Sequence, residues 1–391
     1  MRYLRFGIAT IIFYPVTWGS MLFGGWGLLF APVAIFATHL VMDNFLALDE
    51  SSYEGPRAWV ADIFLYLHVP CAAVTYVLLM WQVAPGDLLN IGKMLSSWFG
   101  SWVMESHRSY TWWTLLGCGY VAGLMLSTNT IVGHELVHRR SSPLAMLVGR
   151  WLLALNGDAQ FSISHVYGHH MRVATPDDPA TARRGESMYR FALRSSIGQY
   201  REAAEIERKR LERAGRGFWT WRNQLLQSIG MSAVFVALSY WCAGTAGVAL
   251  WLFAAIVTKF LFENVNYIQH YGLVRIHGTR VEPRHSWDCN TAGATWVFYG
   301  LARHSHHHNK PVLPYWQLMP LDKIAGSPRL DIGYIGCMLL AAVPPLWFRW
   351  TTPRLLDWDR RLASPEELEL AKMANQQSKY RPLIAASTNS I

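Results

Sequence analysis

The sequence predicts an all-α integral membrane protein with about six transmembrane helices and a polar helical cap rich in histidine. Three observations predict it. Hydrophobic residues make up 52% and charged residues 16% of 391, where soluble proteins carry roughly 25% charged residues. Long apolar runs alternate with polar segments. Fifteen histidines are present, most of them in clusters. Mean hydropathy is only +0.13, so the spans leave a large polar remainder outside the bilayer. Disorder as the dominant state is excluded, because it requires low hydrophobicity and high charge.

Taken in order, apolar stretches run over 4–23, 25–42, 62–83, 112–132, 225–242 and 247–262, each near the ~20 residues that span a bilayer. Arg2 and Arg5 ahead of the first run resemble a secretory signal, but the run continues past a signal's length and restarts, so it reads as a span. Gly24 and Gly25 between the first two runs suit a tight helical hairpin. Pro15, Pro32 and Pro70 lie within spans, where neighbouring helices tolerate them. The expected organisation is 1–132 for spans one to four and 133–224 for a cytoplasmic segment. Residues 225–266 are then spans five and six, and 267–391 a second cytoplasmic segment.

The 133–224 segment is rich in arginine, which places it and both termini in the cytoplasm by the positive-inside tendency. Residues 199–214 read as a charged surface helix, with Glu205 and Lys209 at helical spacing. The run 332–348 is apolar, but Pro344 and Pro345 favour an interfacial or re-entrant segment over a seventh span. Ser364-Pro365-Glu366-Glu367 is a helix start.

A net charge of +9 suits nucleic acid, anionic lipid or an acidic protein. The apolar content already implies a membrane, so lipid and protein are the expected partners and nucleic acid is not. Cys71, Cys118, Cys242, Cys289 and Cys337 are scattered singly. Without a C-x-x-C pair there is neither a zinc ribbon nor a built-in iron–sulfur domain. No G-x-G-x-x-G fingerprint follows a plausible strand, so direct reduction by a nicotinamide cofactor is not expected.

The histidines carry the chemistry. His134 and His138 bracket Glu135 in H-E-x-x-H at the end of the fourth span; on a helix, i and i+4 share a face, which suits two ligands of one metal. His165, His169 and His170 form H-x-x-x-H-H, and His304, His307 and His308 form H-x-x-H-H. His270 stands alone in the 266–273 stretch. A zinc protease with Glu135 as base would need only three protein ligands. Three boxes near membrane ends instead suggest two metals held by imidazole, whose identity spacing does not name. A metal transporter is the rival from another class, but transport sites lie near the bilayer midplane between broken helices.

These motifs resemble those of the integral-membrane di-iron hydroxylases, alkane 1-monooxygenase and the xylene monooxygenase hydroxylase, within the fatty acid desaturase-like proteins. The similarity extends over His134–Arg139, the 174–180 stretch, Gly185-Glu186-Ser187, 266–273, His285-Ser286-Trp287 and the tail to Asp359. It implies two non-haem iron ions, dioxygen as co-substrate, and a separate electron donor, rubredoxin or a ferredoxin-type reductase. It also implies a hydrophobic hydrocarbon hydroxylated at a terminal methyl group, and the cytoplasmic (inner) membrane of a bacterium. Residue by residue, the implied ligands are His134, His138, His165, His169, His170, His270, His304, His307 and His308. A xylene-type hydroxylase of methyl-aromatics or terpenes and a fatty acyl desaturase are the alternatives.

The pattern departs from the family at three places. His306 stands where alkane hydroxylases commonly carry Asp, Ser164 where a Glu precedes the second box, and Gln269 where the alkane type has Glu. Glu263 is similar to the xylene type, whereas 174–180 is closer to the alkane type. Neutral histidines do not offset the charge of two irons, so carboxylates are expected behind them; the candidates by sequence proximity are Glu135, Asp177, Asp178, Glu263 and Asp288. Trp59, Phe64, Leu67, Met80 and Trp113 could line a hydrocarbon channel from the bilayer, or simply face lipid.

Overall fold

The computed structural model describes residues 2–51, 53 and 59–388. Among these residues it is helical without a β-strand; a single bridge pairs Asp288 with Arg329. The longer helices are α1 (Tyr14–Phe23), α2 (Phe30–Phe45), α3 (Trp59–Val83), α4 (Trp112–His138), α5 (Pro143–Leu155), α6 (Met188–Arg213), α7 (Gln224–His270), α8 (His304–Asn309), α9 (Tyr334–Ala341), α10 (Pro344–Arg361) and α11 (Pro365–Gln377).

Among the described residues five helical segments are long and apolar enough to cross a membrane: Tyr3–Phe23, Gly25–Phe45, Trp59–Val83, Trp112–His138 and Gln224–His270. The last, 47 residues long, is not one rod. Ala243 (φ −149°) and Gly244 (φ +59°) are non-helical, and Gly244 takes the left-handed backbone that a residue with a Cβ adopts at a cost. The chain folds back there: a Cβ on Gly247 would meet the Ser239 carbonyl oxygen at 2.3 Å. The break falls in the gap between the apolar runs 225–242 and 247–262. The first two meet at Gly24 and Gly25, both at positive φ.

The chain forms two compact units. The first comprises Met1–Thr38, Tyr53–Ala159 and Leu226–Leu261; the second comprises His39–Ser52, Gln160–Leu225 and Phe262–Ile391. In the first unit Tyr14 donates from its hydroxyl to Asn129 Oδ1 at 2.7 Å, and His68 Nδ1 lies 3.1 Å from the same oxygen. All three side chains are fully buried. Polar groups at membrane depth need such internal partners. Thr258 of α7 donates to the Gly123 carbonyl of α4 at 2.9 Å, tying two apolar helices together. Of the residues considered for a hydrocarbon channel, Phe64 and Met80 are buried, whereas Trp59, Leu67 and Trp113 lie exposed on the surface, where lipid would contact them.

In the second unit α6 runs over Met188–Arg213, one turn or more ahead of the predicted 199–214, because Ser187 caps it by accepting the Arg190 N–H. The run 332–348 is not a span. It divides into the eight-residue α9 and the start of α10, and eight residues fall far short of the ~20 that a bilayer needs. Ser364 and Glu367 close a reciprocal capping box at the head of α11, as predicted. The C-terminal helices are fastened by fully buried Arg184. It donates to the Gly272 carbonyl at 2.7 Å, to both carboxylate oxygens of Asp359 at 2.7 and 2.6 Å, and to Asn375 at 2.8 Å.

Candidate metal centre

Seven histidines converge in the second unit. A π-helical turn over His165–His169, followed by a helical turn at His170–Arg172, projects His165, His169 and His170 together; such turns widen the helix and recur at functional sites. The His165 and His170 rings then meet with Nε2 atoms 3.0 Å apart. His270 ends α7, and α8 presents His304, His307 and His308 from one short helix, all buried.

The donor atoms of His169, His270, His304 and His308 all lie within 4.8 Å of one another. His270 Nε2 is 2.9 Å from His304 Nε2, and His308 Nε2 is 3.1 Å from it. Buried His169 Nε2 has no hydrogen-bond partner. Neutral imidazoles have one donor and one acceptor nitrogen each, so a ring of converging nitrogens cannot satisfy itself without strain. A shared cation resolves this. Nitrogens on one ion at about 2.1 Å would stand roughly 3.0–3.4 Å apart, close to what is seen. Burial and the neighbouring His170 and His304 hold His308 well below the usual imidazole range, leaving it neutral with a lone pair for metal. His307 Nε2 lies 3.2 Å from His170 Nε2, extending the set beside His165. In the first unit His134 and His138 lie one turn apart on α4 and meet edge to face, ring centroids 4.8 Å apart, both buried.

A family model for fatty acid desaturases matches residues 110–349, which include all nine of these histidines. The chain is 30% identical to an alkane 1-monooxygenase of Pseudomonas putida over 384 residues, 93% of this chain and 87% of that one. The chain belongs to the alkane 1-monooxygenase and xylene monooxygenase hydroxylase family. Similarity to the Acinetobacter baylyi alkane 1-monooxygenase reaches 37% over 247 residues, 62% of this chain, and spans 59% of that relative's length. The xylene/toluene monooxygenase hydroxylase component of Pseudomonas putida is 29% identical over 89% of this chain and 88% of its own. Membership agrees with the apolar helices of a multi-pass membrane protein and with histidine clusters able to hold metal.

Among the carboxylates that family chemistry suggests, Asp178 is placed directly behind a histidine. Its Oδ2 lies 2.8 Å from His169 Nδ1, and it also accepts Thr181 Oγ1–H at 2.6 Å and the Ala180 N–H at 3.0 Å. Burial alone would raise this carboxyl, but the His169 charge and hydrogen bonds hold it below the usual range. As a carboxylate it only accepts, so the proton sits on His169 Nδ1 and the Nε2 lone pair faces the histidine group.

Asp288 acts on backbone instead. It accepts the Ser305 N–H at 2.7 Å and the Ser305 and Ser327 hydroxyls, the latter at 2.7 Å, which fixes the head of α8. Glu263, fully buried, accepts from Gln199 Nε2 at 2.7 Å. Glu135 pairs with Arg139 at 2.9 Å, and Arg139 pairs with Asp62 at 2.7 Å. Asp177 is exposed and its partner is the equally exposed His277, at 3.2 Å, with no ring of the cluster. His306 turns its Nδ1 to the Met319 N–H at 2.8 Å, a structural bond on α8's other face.

Three supports carry no local sequence signal. Arg303, next to His304 and 1% exposed, donates to the backbone of Asp49 and Ser51, bringing 254 residues of separation to a contact. His285 Nε2 meets Glu367 at 2.7 Å. Glu202 of α6 pairs with Arg172, and its carboxyl lies over Gly168, where a Cβ would come within 2.4 Å. A side chain in place of Gly168 would force that carboxyl to move. Burial pushes Glu202 up to about 7 despite Arg172.

Proposed function

We propose that this chain is a membrane-bound non-haem di-iron monooxygenase that hydroxylates the terminal methyl group of a hydrophobic hydrocarbon. Medium-chain alkanes come first and methyl-aromatics or terpenes second. One oxygen atom of dioxygen enters the alcohol and the other leaves as water, consuming two electrons and two protons. The observation that carries the reading is the convergence of His169, His270, His304 and His308 to within 4.8 Å, in a chain whose relatives are alkane 1-monooxygenases. Those four histidines would hold one iron. His165, His170 and His307 would hold the other, and His134 and His138 of the H-E-x-x-H turn are ligands by family likeness. When bound, the irons supply dioxygen activation and oxidation of the C–H bond.

The chain's own residues set the frame for that chemistry. Asp178 fixes the His169 tautomer, Asp288 fixes α8 and its three ligands, and Phe161 stacks on His165 at 4.5 Å between centroids. Burial of all these groups excludes bulk water from the donor atoms. The hydrocarbon reaches the site laterally from the bilayer, where a greasy substrate concentrates. The inner membrane, with termini and metal site facing the cytoplasm, is supported by the arginine excess of 133–224.

Electrons come from a separate small acidic redox protein, rubredoxin or a ferredoxin-type reductase. Its landing place is a cleft of about 480 Å³ where Arg183 and Arg201 stand beside the carboxylate-paired Arg172, Arg194 and Lys209, with exposed Leu193 and Ile197 of α6 at its rim. Arg208 and Arg210, further along α6, are offset by Glu205, Glu212 and Glu207 and contribute little to it. The deciding experiment is anaerobic iron analysis of purified protein, then turnover with donor on alkanes and methyl-aromatics. Two irons per chain and primary alcohols are expected; alkenes, or predominantly internal alcohols, overturn the reading.

A further inference from the structure

The connection between α6 and α7 is short, ordered and apolar at its tip. Asn223 donates to the Phe218 carbonyl at 3.0 Å and accepts the Leu225 N–H at 2.9 Å. Glu207, whose side chain is 2% exposed, accepts the Gln224 N–H at 2.7 Å. Arg210 donates to the Arg222 carbonyl at 2.8 Å. A loop held this firmly has a defined outward face, yet that face is Trp219 and Trp221, 85% and 77% exposed. Phe218 packs beside Trp219 at 5.4 Å, and the Arg222 guanidinium lies 4.9 Å from the centre of the Trp221 ring.

Charge completes the pattern. In the preceding turns of α6 two cations are matched: Arg208 by Glu205 and Glu212, Arg210 by Glu207. Around the loop Arg213, Arg216 and Arg222 have no carboxylate partner among the described residues, so three positive charges frame two exposed indoles. The next residue in the chain, Gln224, opens an apolar helix long enough to cross a membrane, so chain continuity sets the loop at a bilayer surface. Indoles prefer the headgroup level, apolar ring inward and N–H outward, and arginines within a Debye length of an anionic leaflet are attracted to it. A soluble protein partner would match the cations but gives no reason for two indoles at a span's mouth.

We propose that the 213–222 loop is an anionic-lipid anchor: Trp219 and Trp221 insert at the headgroup level, and Arg213, Arg216 and Arg222 bind phosphate groups of anionic phospholipid. The anchor pins the junction of α6 and α7, the helices that carry Glu202 and His270, to the leaflet.

The test uses the full iron-loaded chain in nanodiscs of phosphatidylcholine with or without phosphatidylglycerol. Amide exchange over 214–223 and bound lipid, by native mass spectrometry, are the readouts. Slower loop exchange with phosphatidylglycerol, and preferential retention of that lipid, are expected. Arg213→Gln, Arg216→Gln and Arg222→Gln should each weaken that preference roughly fivefold, with iron content unchanged. Trp219→Ser with Trp221→Ser should speed loop exchange in both lipids. Equal wild-type exchange in both lipids overturns the proposal without needing any variant. So does protection that arises only with added acidic redox protein, or only at protein concentrations where two copies associate.

Discussion

Asp178 and His169 face each other at 2.8 Å inside the second unit, both side chains buried. The aspartate is held by four further hydrogen bonds within its own loop, so the ring it orients has a fixed direction. Asp178→Asn should therefore lower metal affinity by about 10–100-fold, the usual effect of removing such a partner. Anaerobic iron titration measures it, and circular dichroism should show unchanged helix content.

His306 sits among the proposed ligands of α8 without sharing their direction. His306→Ala is expected to keep most of the iron while costing about 1–3 kcal/mol, because the Met319 N–H loses its buried acceptor. His138→Ala, His169→Ala and His307→Ala should instead lose iron and turnover. Full iron in any of these three would contradict the ligand assignment.

Arg184 and Asp359 form a bidentate pair with side chains 0% and 2% exposed. Removing one partner strands a buried charge at a cost of about 3–5 kcal/mol. Arg184→Met should lower the unfolding temperature more than the double replacement with Asp359→Leu does. A single variant as stable as wild type would show that the C-terminal helices do not depend on this clamp.

Glu367 is pushed down to about 2: burial opposes, but His285 and the Ser364 cap outweigh it. A depressed carboxyl contributes stability above its unfolded pKa, near 4.5, and loses it as pH falls toward 2. Thermal unfolding of the wild type should therefore weaken steeply across that window. Glu367→Gln should be less stable at pH 6 and show a flatter profile below 4.5.

If the arginine cleft receives the electron donor, Arg183→Glu and Arg201→Glu should slow its reduction severalfold at low salt and little at high salt. Arg208→Gln should do much less, since Glu205 and Glu212 already offset that charge. Stopped-flow reduction across a salt series reads both, and a rate independent of salt would rule out steering.

The helical stretches were legible because each apolar run is long and continuous, a signal no other element produces. The break at Gly244 was legible too, as a gap between runs. The start of α6 at Ser187 was not, because cap residues are common and the apolar period begins weakly there. The split of 332–348 escaped because hydropathy does not see a two-residue turn.

The site divides the same way. The three histidine boxes follow from spacing, since ligands one helical turn apart share a face whatever the rest of the chain does. Sequence proximity was a poor guide to carboxylates: Asp177 and Asp178 are neighbours, yet one is exposed beside His277 and the other buried against His169. Glu202 and Arg303 lay outside the reading altogether and Glu367 was read only as part of a helix start, because their partners are 30, 254 and 82 residues away.

By itself, the sequence determined an all-helical membrane chain and the residues able to hold metal, because periodicity and ligand spacing are local properties of a helix. Only the tertiary structure decided which histidines face one another, which carboxylate orients them, and which arginines are left uncompensated. Those outcomes depend on distances between side chains far apart in sequence, and such distances are fixed by packing.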